Sequence, residues 1–145
     1  AALRQFSVFL ENRVGNLSDL VRTVEAGKLR IVGLTIQDNA DSAVARLIVD
    51  EYERARDLFR LSDFHVFETD VIAIELPDVP HPISDACRTL LQAELDVHYS
   101  YTLALPETPR GGLAIYVDDV DLALDVLANS RLTVVTEGDL KSRFE

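Results

Sequence analysis

The 145-residue sequence is 48% hydrophobic, ample for a packed core, which excludes a disordered chain. Its formal net charge of −11 is unevenly divided: residues 1–69 carry nine Lys/Arg against eleven Asp/Glu, and residues 70–145 carry five against fourteen. Such a surface repels phosphate backbones and anionic lipid, so neither nucleic acid nor a membrane is an expected partner. Cys87 is the only cysteine, which excludes an internal disulfide and fits a reducing compartment, so a cytoplasmic location is the default. The longest apolar runs, such as Val71–Ile74, are strand-sized, and the start Ala1-Ala2-Leu3-Arg4 lacks a signal-peptide pattern. There is no Met, so the expectation is an initiator removed ahead of Ala1, with room for a longer upstream segment.

Phe6–Glu11 is a short apolar-rich run ending in the turn-type cluster Asn12-Arg13-Val14-Gly15-Asn16. Leu17, Leu20, Val21 and Val24 then recur at helical spacing, which predicts one buried helix face, with Asn16 placed to cap it and Gly27 to end it. Leu29–Asp38 and Ala43–Val49 read as a hairpin around Asn39-Ala40-Asp41-Ser42. Tyr52, Ala55, Leu58 and Phe59 form a second helical stripe, and Phe64–Glu68 a fourth strand. The order is βαββαβ.

The second half repeats the first. At an offset of 66, Leu17, Leu20, Val21 and Val24 fall on Ile83, Ala86, Cys87 and Leu90, and Leu29 and Ile31 on Leu95 and Val97. After the hairpin the offset becomes 68, because the turn Pro106–Gly111 is longer than its counterpart. Val49-Asp50 then falls on Val117-Asp118, Ala55 on Ala123, and Phe64 and Val66 on Leu132 and Val134. The chain therefore divides into modules at 1–69 and 70–145. The fold class is α+β: two ferredoxin-like βαββαβ modules, each an antiparallel sheet with its helices on one face. Each module alone has a marginal core. The helix-free sheet faces need cover, and Thr69-Asp70 joins strand to strand without a flexible linker. The tail Gly138–Phe144 is expected to add one closing helical turn.

The stretch Val8–Leu17, with a helix ending near Gly27, resembles the opening of an ACT domain, whose first strand ends in an Asn-x-Pro-Gly-x-Leu loop. Asn12, Gly15 and Leu17 match, whereas Val14 stands where Pro is usual. Arg46–Asp50 resembles the family's third strand and its exit. The junction Glu68–Asp78 resembles that of stand-alone tandem ACT proteins. The second loop, Asp78-Val79-Pro80-His81-Pro82-Ile83, keeps a Pro but has His81 at the Gly position. The resemblance spans nearly the whole chain and implies a non-catalytic regulatory module that binds an amino acid or related metabolite where modules meet.

The implied ligand-binding residues are Asn12, Arg13, Val14, Gly15, Asn16 and Leu17, with Asp78, Val79, Pro80, His81 and Ile83 in the second loop. The physics of the first loop agrees. Gly15 permits a backbone conformation or close approach that a Cβ obstructs. The helix start offers unpaired N–H groups and a positive dipole end. Asn12 can hydrogen-bond a ligand's amino or carboxylate group, and Arg13 can neutralise a carboxylate. The plainer alternative is a turn and a cap, with Arg13 in water and the second loop closed by its prolines.

No catalytic, cofactor or metal site emerges. Cys87 is expected to be a buried, inert thiol because it falls on the core position of Val21. His65, His81 and His98 are scattered. Asp118-Asp119-Val120-Asp121 lacks the Gly and distal Glu of a calcium loop and reads as charge at a helix start. Gly111-Gly112 is not followed by the Lys-Ser/Thr of a phosphate loop. Tyr99 and Tyr101 are expected to cover a sheet face. An RNA-binding reading of the same topology fails, since the strands that should carry stacking aromatics offer Val8, Ala45 and Leu47. The expected partners are a small amino-acid ligand, a second copy in a homodimer covering the open faces, or a biosynthetic enzyme of the acetolactate synthase type.

Overall fold

Alternation with period two sends Phe6, Val8 and Leu10 of strand β1 (Leu3–Glu11) into a core with helix residues Leu20, Val24, Ala55 and Phe59. The same alternation leaves Leu3 and Gln5 on the opposite face. The computed structural model describes residues 2–11, 15–38 and 40–144. In it β1 is followed by α1 (Asn16–Ala26), β2 (Ile31–Asp38), β3 (Ser42–Val49), α2 (Tyr52–Arg60) and β4 (His65–Glu75). The second half contributes α3 (Pro82–Gln92), β5 (Val97–Leu103), β6 (Gly112–Val117), α4 (Val120–Ala128) and α5 (Glu137–Arg143). Asn39 of the first hairpin turn lies outside the described residues.

One sheet of six strands runs β2-β3-β1-β4-β6-β5. β4 belongs to both halves: His65–Val71 pair antiparallel with β1, and Ile72–Glu75 with β6. Thr69 and Asp70 thus lie inside a single strand. The fold is the expected α+β pair of ferredoxin-like modules, and the repeat extends to individual hydrogen bonds. Ser62 Oγ donates to the Phe59 carbonyl and accepts from the Phe64 N–H, and Ser130 does the same with Leu127 and Leu132. Lys28 and Glu94, 66 residues apart, both take left-handed φ after their helices. The repeat is shortened at its end: the strand expected around Leu132–Val134 is a single bridge, Val134 to Ile74. α5 follows it instead, capped reciprocally by Thr136 and Asp139, and is longer than the single turn expected.

Each module keeps a core between its helices and its sheet. A third core joins the modules: Leu3, Ile48 and Val71 meet Tyr101, Leu103, Ala114 and Leu140 across the helix-free faces. Gln5, fully buried, donates Nε2–H to Tyr99 Oη and accepts from the Tyr101 hydroxyl, both at 2.7 Å. Tyr99 stacks on Tyr116 and lies under the Arg46 guanidinium. The tyrosines therefore cover a sheet face as expected, and the faces thought to require a second copy largely cover each other. What stays open is the far end of the first module's face, where Phe9 and Phe67 meet edge-on, 46% and 60% exposed.

Several local expectations are corrected. Asn16 does not cap α1; its Nδ2–H reaches back to the Glu11 carbonyl at 2.8 Å. Gly27 does end α1, as its C-cap, but with an ordinary φ of −76°, and Lys28 carries the left-handed turn. Leu17 and its counterpart Ile83 are exposed, so the apolar stripe is not buried over the first turn of either helix. Cys87 is exposed, not buried: only Ala86 and Leu90 of α3 are fully packed.

Candidate ligand clefts

Gly15 precedes α1 with φ 98°, a left-handed conformation that side-chain-bearing residues rarely adopt, and its carbonyl accepts the Asp19 N–H at 2.8 Å. Nothing lies within 4 Å of where a Cβ would sit, so conformation rather than crowding calls for glycine. Asn12, Arg13 and Val14 lie outside the described residues. Asn16 is half-buried and lines an open cleft of about 610 Å³, with Phe9–Glu11 on one wall and Leu58 and Asp63–His65 on the other. Leu17 is not among the lining residues.

The second loop departs from the first. His81, at the glycine position, has φ −130°, and its carbonyl accepts the Asp85 N–H at 3.1 Å. Pro82 occupies the first turn of α3, where no N–H is needed. Asp78 lines a smaller cleft of about 340 Å³ and accepts from Arg110 Nε at 3.3 Å. Val79, Pro80, His81 and Ile83 are not among the residues lining that cleft. Its other wall brings in Arg131, Thr133 and Arg143, the last bonded to Glu75 and Thr108.

The two clefts are counterparts. Residues 9–11 and 63–65 line the first, and 75–77 and 131–133 line the second, related by the offsets of 66 and 68. The turn after α2, and its partner after α4, were missed as site components, although Asp63 and Arg131 are aligned by the same repeat. Charge differs: the first cleft's described lining includes Glu11, Asp63 and His65, whereas the second presents Arg131 and Arg143 beside Glu75, Asp78 and Glu107.

Among the described residues no group of three or more His, Cys, Asp or Glu could hold a metal. Asp119 caps α4 by accepting the Leu122 N–H at 3.0 Å and Asp121 lies in its first turn, as expected of charge at a helix start, while Asp118 pairs with His98. No described helix is long and apolar enough to cross a membrane.

The chain is similar to protein BT0572 from Bacteroides thetaiotaomicron, with 25% identity, 97% of this chain and 96% of that one covered, and a TM-score of 0.84. It shares its fold with the aspartate kinase regulatory subunit from Thermus thermophilus, at 7% identity, with 88% and 89% covered and a TM-score of 0.62. The corresponding subunit from Thermus flavus gives 8% identity, 99% and 94% coverage, and a TM-score of 0.52. At these identities the Thermus likenesses speak for fold alone. No curated protein sequence matches the chain. The family model described as "ACT domain pair" matches residues 1–143. The chain belongs to the ACT domain pair family.

Proposed function

We propose that this chain is a non-catalytic regulatory protein that binds an amino acid or a closely related metabolite at its loop clefts. The observation that carries the reading is a cleft at the same repeat position in both halves of an ACT domain pair, each beside the loop between a first strand and a first helix. In the first cleft the Gly15 turn holds the α1 N-terminus beside Asn16, and Arg13, four residues upstream of Leu17, belongs to the same proposed site. In the second, Arg131 and Glu107, which pair with no other side chain among the described residues, are available to a carboxylate and an ammonium, whereas Arg143 already pairs with Glu75 and Asp78 with Arg110. A cytoplasmic location belongs to the same proposal, on the single cysteine. A thermal-shift screen against the amino acids tests it. Ligand at about 100 times its dissociation constant stabilises by about 2.7 kcal/mol, several degrees for a chain of this size. A midpoint unmoved by every amino acid at saturation sinks the proposal.

A second reading, docking of the chain as a regulatory subunit on an amino-acid biosynthetic enzyme, draws support from the open Phe9–Phe67 end of the sheet. The homodimer expectation narrows to the same place. Light scattering separates the two: a dimer that Phe67→Ser converts to monomer assigns that end to a second copy, and a monomer at high concentration leaves it for an enzyme.

A further inference from the structure

The repeat supplies an internal control for a third cleft. On the helix side of the second module, α3 and the β5–β6 hairpin enclose about 550 Å³, a volume within the range of small-molecule sites. This cleft shares no lining residue with either loop cleft. Its floor is apolar, with Leu90, Leu113 and Ile115 all buried. In the first module the corresponding positions are more closed. Leu29 is buried where Leu95 is half-buried, and Val21, Ile31 and Leu34 are half-buried where Cys87, Val97 and Ser100 are exposed. Side-chain volume falls at three of these positions. Val21 is replaced by Cys87, Ile31 by Val97, and Leu34, which packs on the first core, by the short hydroxyl of Ser100.

The rim supplies polarity of both signs. Among the described residues Arg88 has only an exposed pairing with Asp85 at 3.6 Å, one helical turn away, which competes weakly with a ligand. Asp96, just before β5, has no hydrogen-bond or ion-pair partner among the described residues. Hydroxyls of Ser84 and Ser100 complete the mouth. We propose that this cleft is a separate binding site for a small molecule with an apolar body and a carboxylate. Arg88 holds the carboxylate, the leucine–isoleucine floor takes the apolar body, and Asp96 favours those ligands that also carry an ammonium group. The volume freed at position 100 is one difference between this face and its more closed counterpart.

Cys87, the chain's only cysteine, lines the cleft and is exposed, so its reaction with a thiol reagent reports occupancy of this site alone. The experiment measures that rate in the full chain with 3-phenylpropionate and with phenylalanine as probes. A bound probe at about ten times its dissociation constant slows modification about tenfold. Protection by phenylpropionate assigns the site to simple carboxylic acids, and stronger protection by phenylalanine assigns it to amino acids through Asp96. Ser100→Leu restores the first module's filling, so it abolishes protection while leaving the thermal midpoint intact. Arg88→Gln raises the probe concentration required.

An unchanged rate with both probes overturns the proposal, as does protection that persists in Ser100→Leu. A rate that falls with protein concentration in the absence of probe also overturns it, because a second copy then covers the face that carries Ile83, Leu91 and Val97. The readout is local to Cys87, so its failure leaves the loop clefts untouched.

Discussion

Two inward-facing polar side chains, Gln5 buried and Glu137 half-buried, do the specifying at the scale of single residues. Gln5 bridges the hydroxyls of Tyr99 and Tyr101, and burial together with the neighbouring Tyr99 pushes the Tyr101 phenol up from its usual value. Tyr101→Phe leaves one Gln5 acceptor buried and unpaired, at a cost of about 1–3 kcal/mol by urea denaturation. Glu137 is the other. Its Oε1 accepts the Arg4 N–H at 2.8 Å, while Oε2 is buried without a partner. Burial lifts this carboxyl from 4.5 to about 7; the Arg4 contact opposes the shift and the charge of Glu53 adds to it. A raised carboxyl favours the folded state fully below its unfolded value, and that contribution is lost as pH rises through about 7. The melting temperatures of wild type and Glu137→Gln therefore converge near pH 4.5 and separate above pH 7, with the variant the more stable. A constant difference across that window refutes the assignment.

Elements carry the asymmetry between the halves. The second hairpin turn is tight where the chain enters β6: a Cβ on Gly112 would stand 2.8 Å from the Ile74 carbonyl oxygen and 2.6 Å from Leu105 Cδ1. Gly112→Ala must push the hairpin off β4, and its expected cost is about 1–3 kcal/mol in a denaturant titration. α5 has no counterpart in the first module. It places Leu140, fully buried, in the core between modules and Arg143 on Glu75. Leu140→Ala should cost about 2–5 kcal/mol, far more than an exposed truncation such as Leu61→Ala. The sequence showed the amphipathic stripes of α1 and α3, but the first-turn residues Leu17 and Ile83 were placed in them wrongly. Helical spacing gives a face, and only the angle at which a helix crosses its sheet decides how far along that face burial extends.

On the scale of the whole molecule, the central fact is that the modules share a strand and a core. β4 pairs with β1 and then with β6, and the Ala104 N–H bonds to the Val32 carbonyl at 2.8 Å, so the outer strands also meet. Neither half can lose its fold without exposing Leu3, Ile48 or Tyr101 of the shared core. We therefore expect one cooperative transition, with the calorimetric and van't Hoff enthalpies equal. Two resolved transitions would show that the modules are coupled far more loosely than this packing implies. The open Phe9–Phe67 end is the residue of an unequal bargain, since the second module's matching surface lies beneath α5.

By itself the sequence determined the duplication, the order of the elements, the acidic surface and the general course of turns and helix stripes, because these follow from local periodicity and from positions repeated at a constant offset. It also pointed to the loop at Gly15, where a left-handed backbone selects glycine whatever surrounds it. The tertiary structure alone decided what faces what. That two helix-free sheets cover each other, that Cys87 is exposed on a helix face whose counterpart Val21 is half-buried, and that turns far along the chain wall each cleft are matters of packing between distant segments. Burial depends on which surfaces meet, and periodicity records only that a surface is apolar.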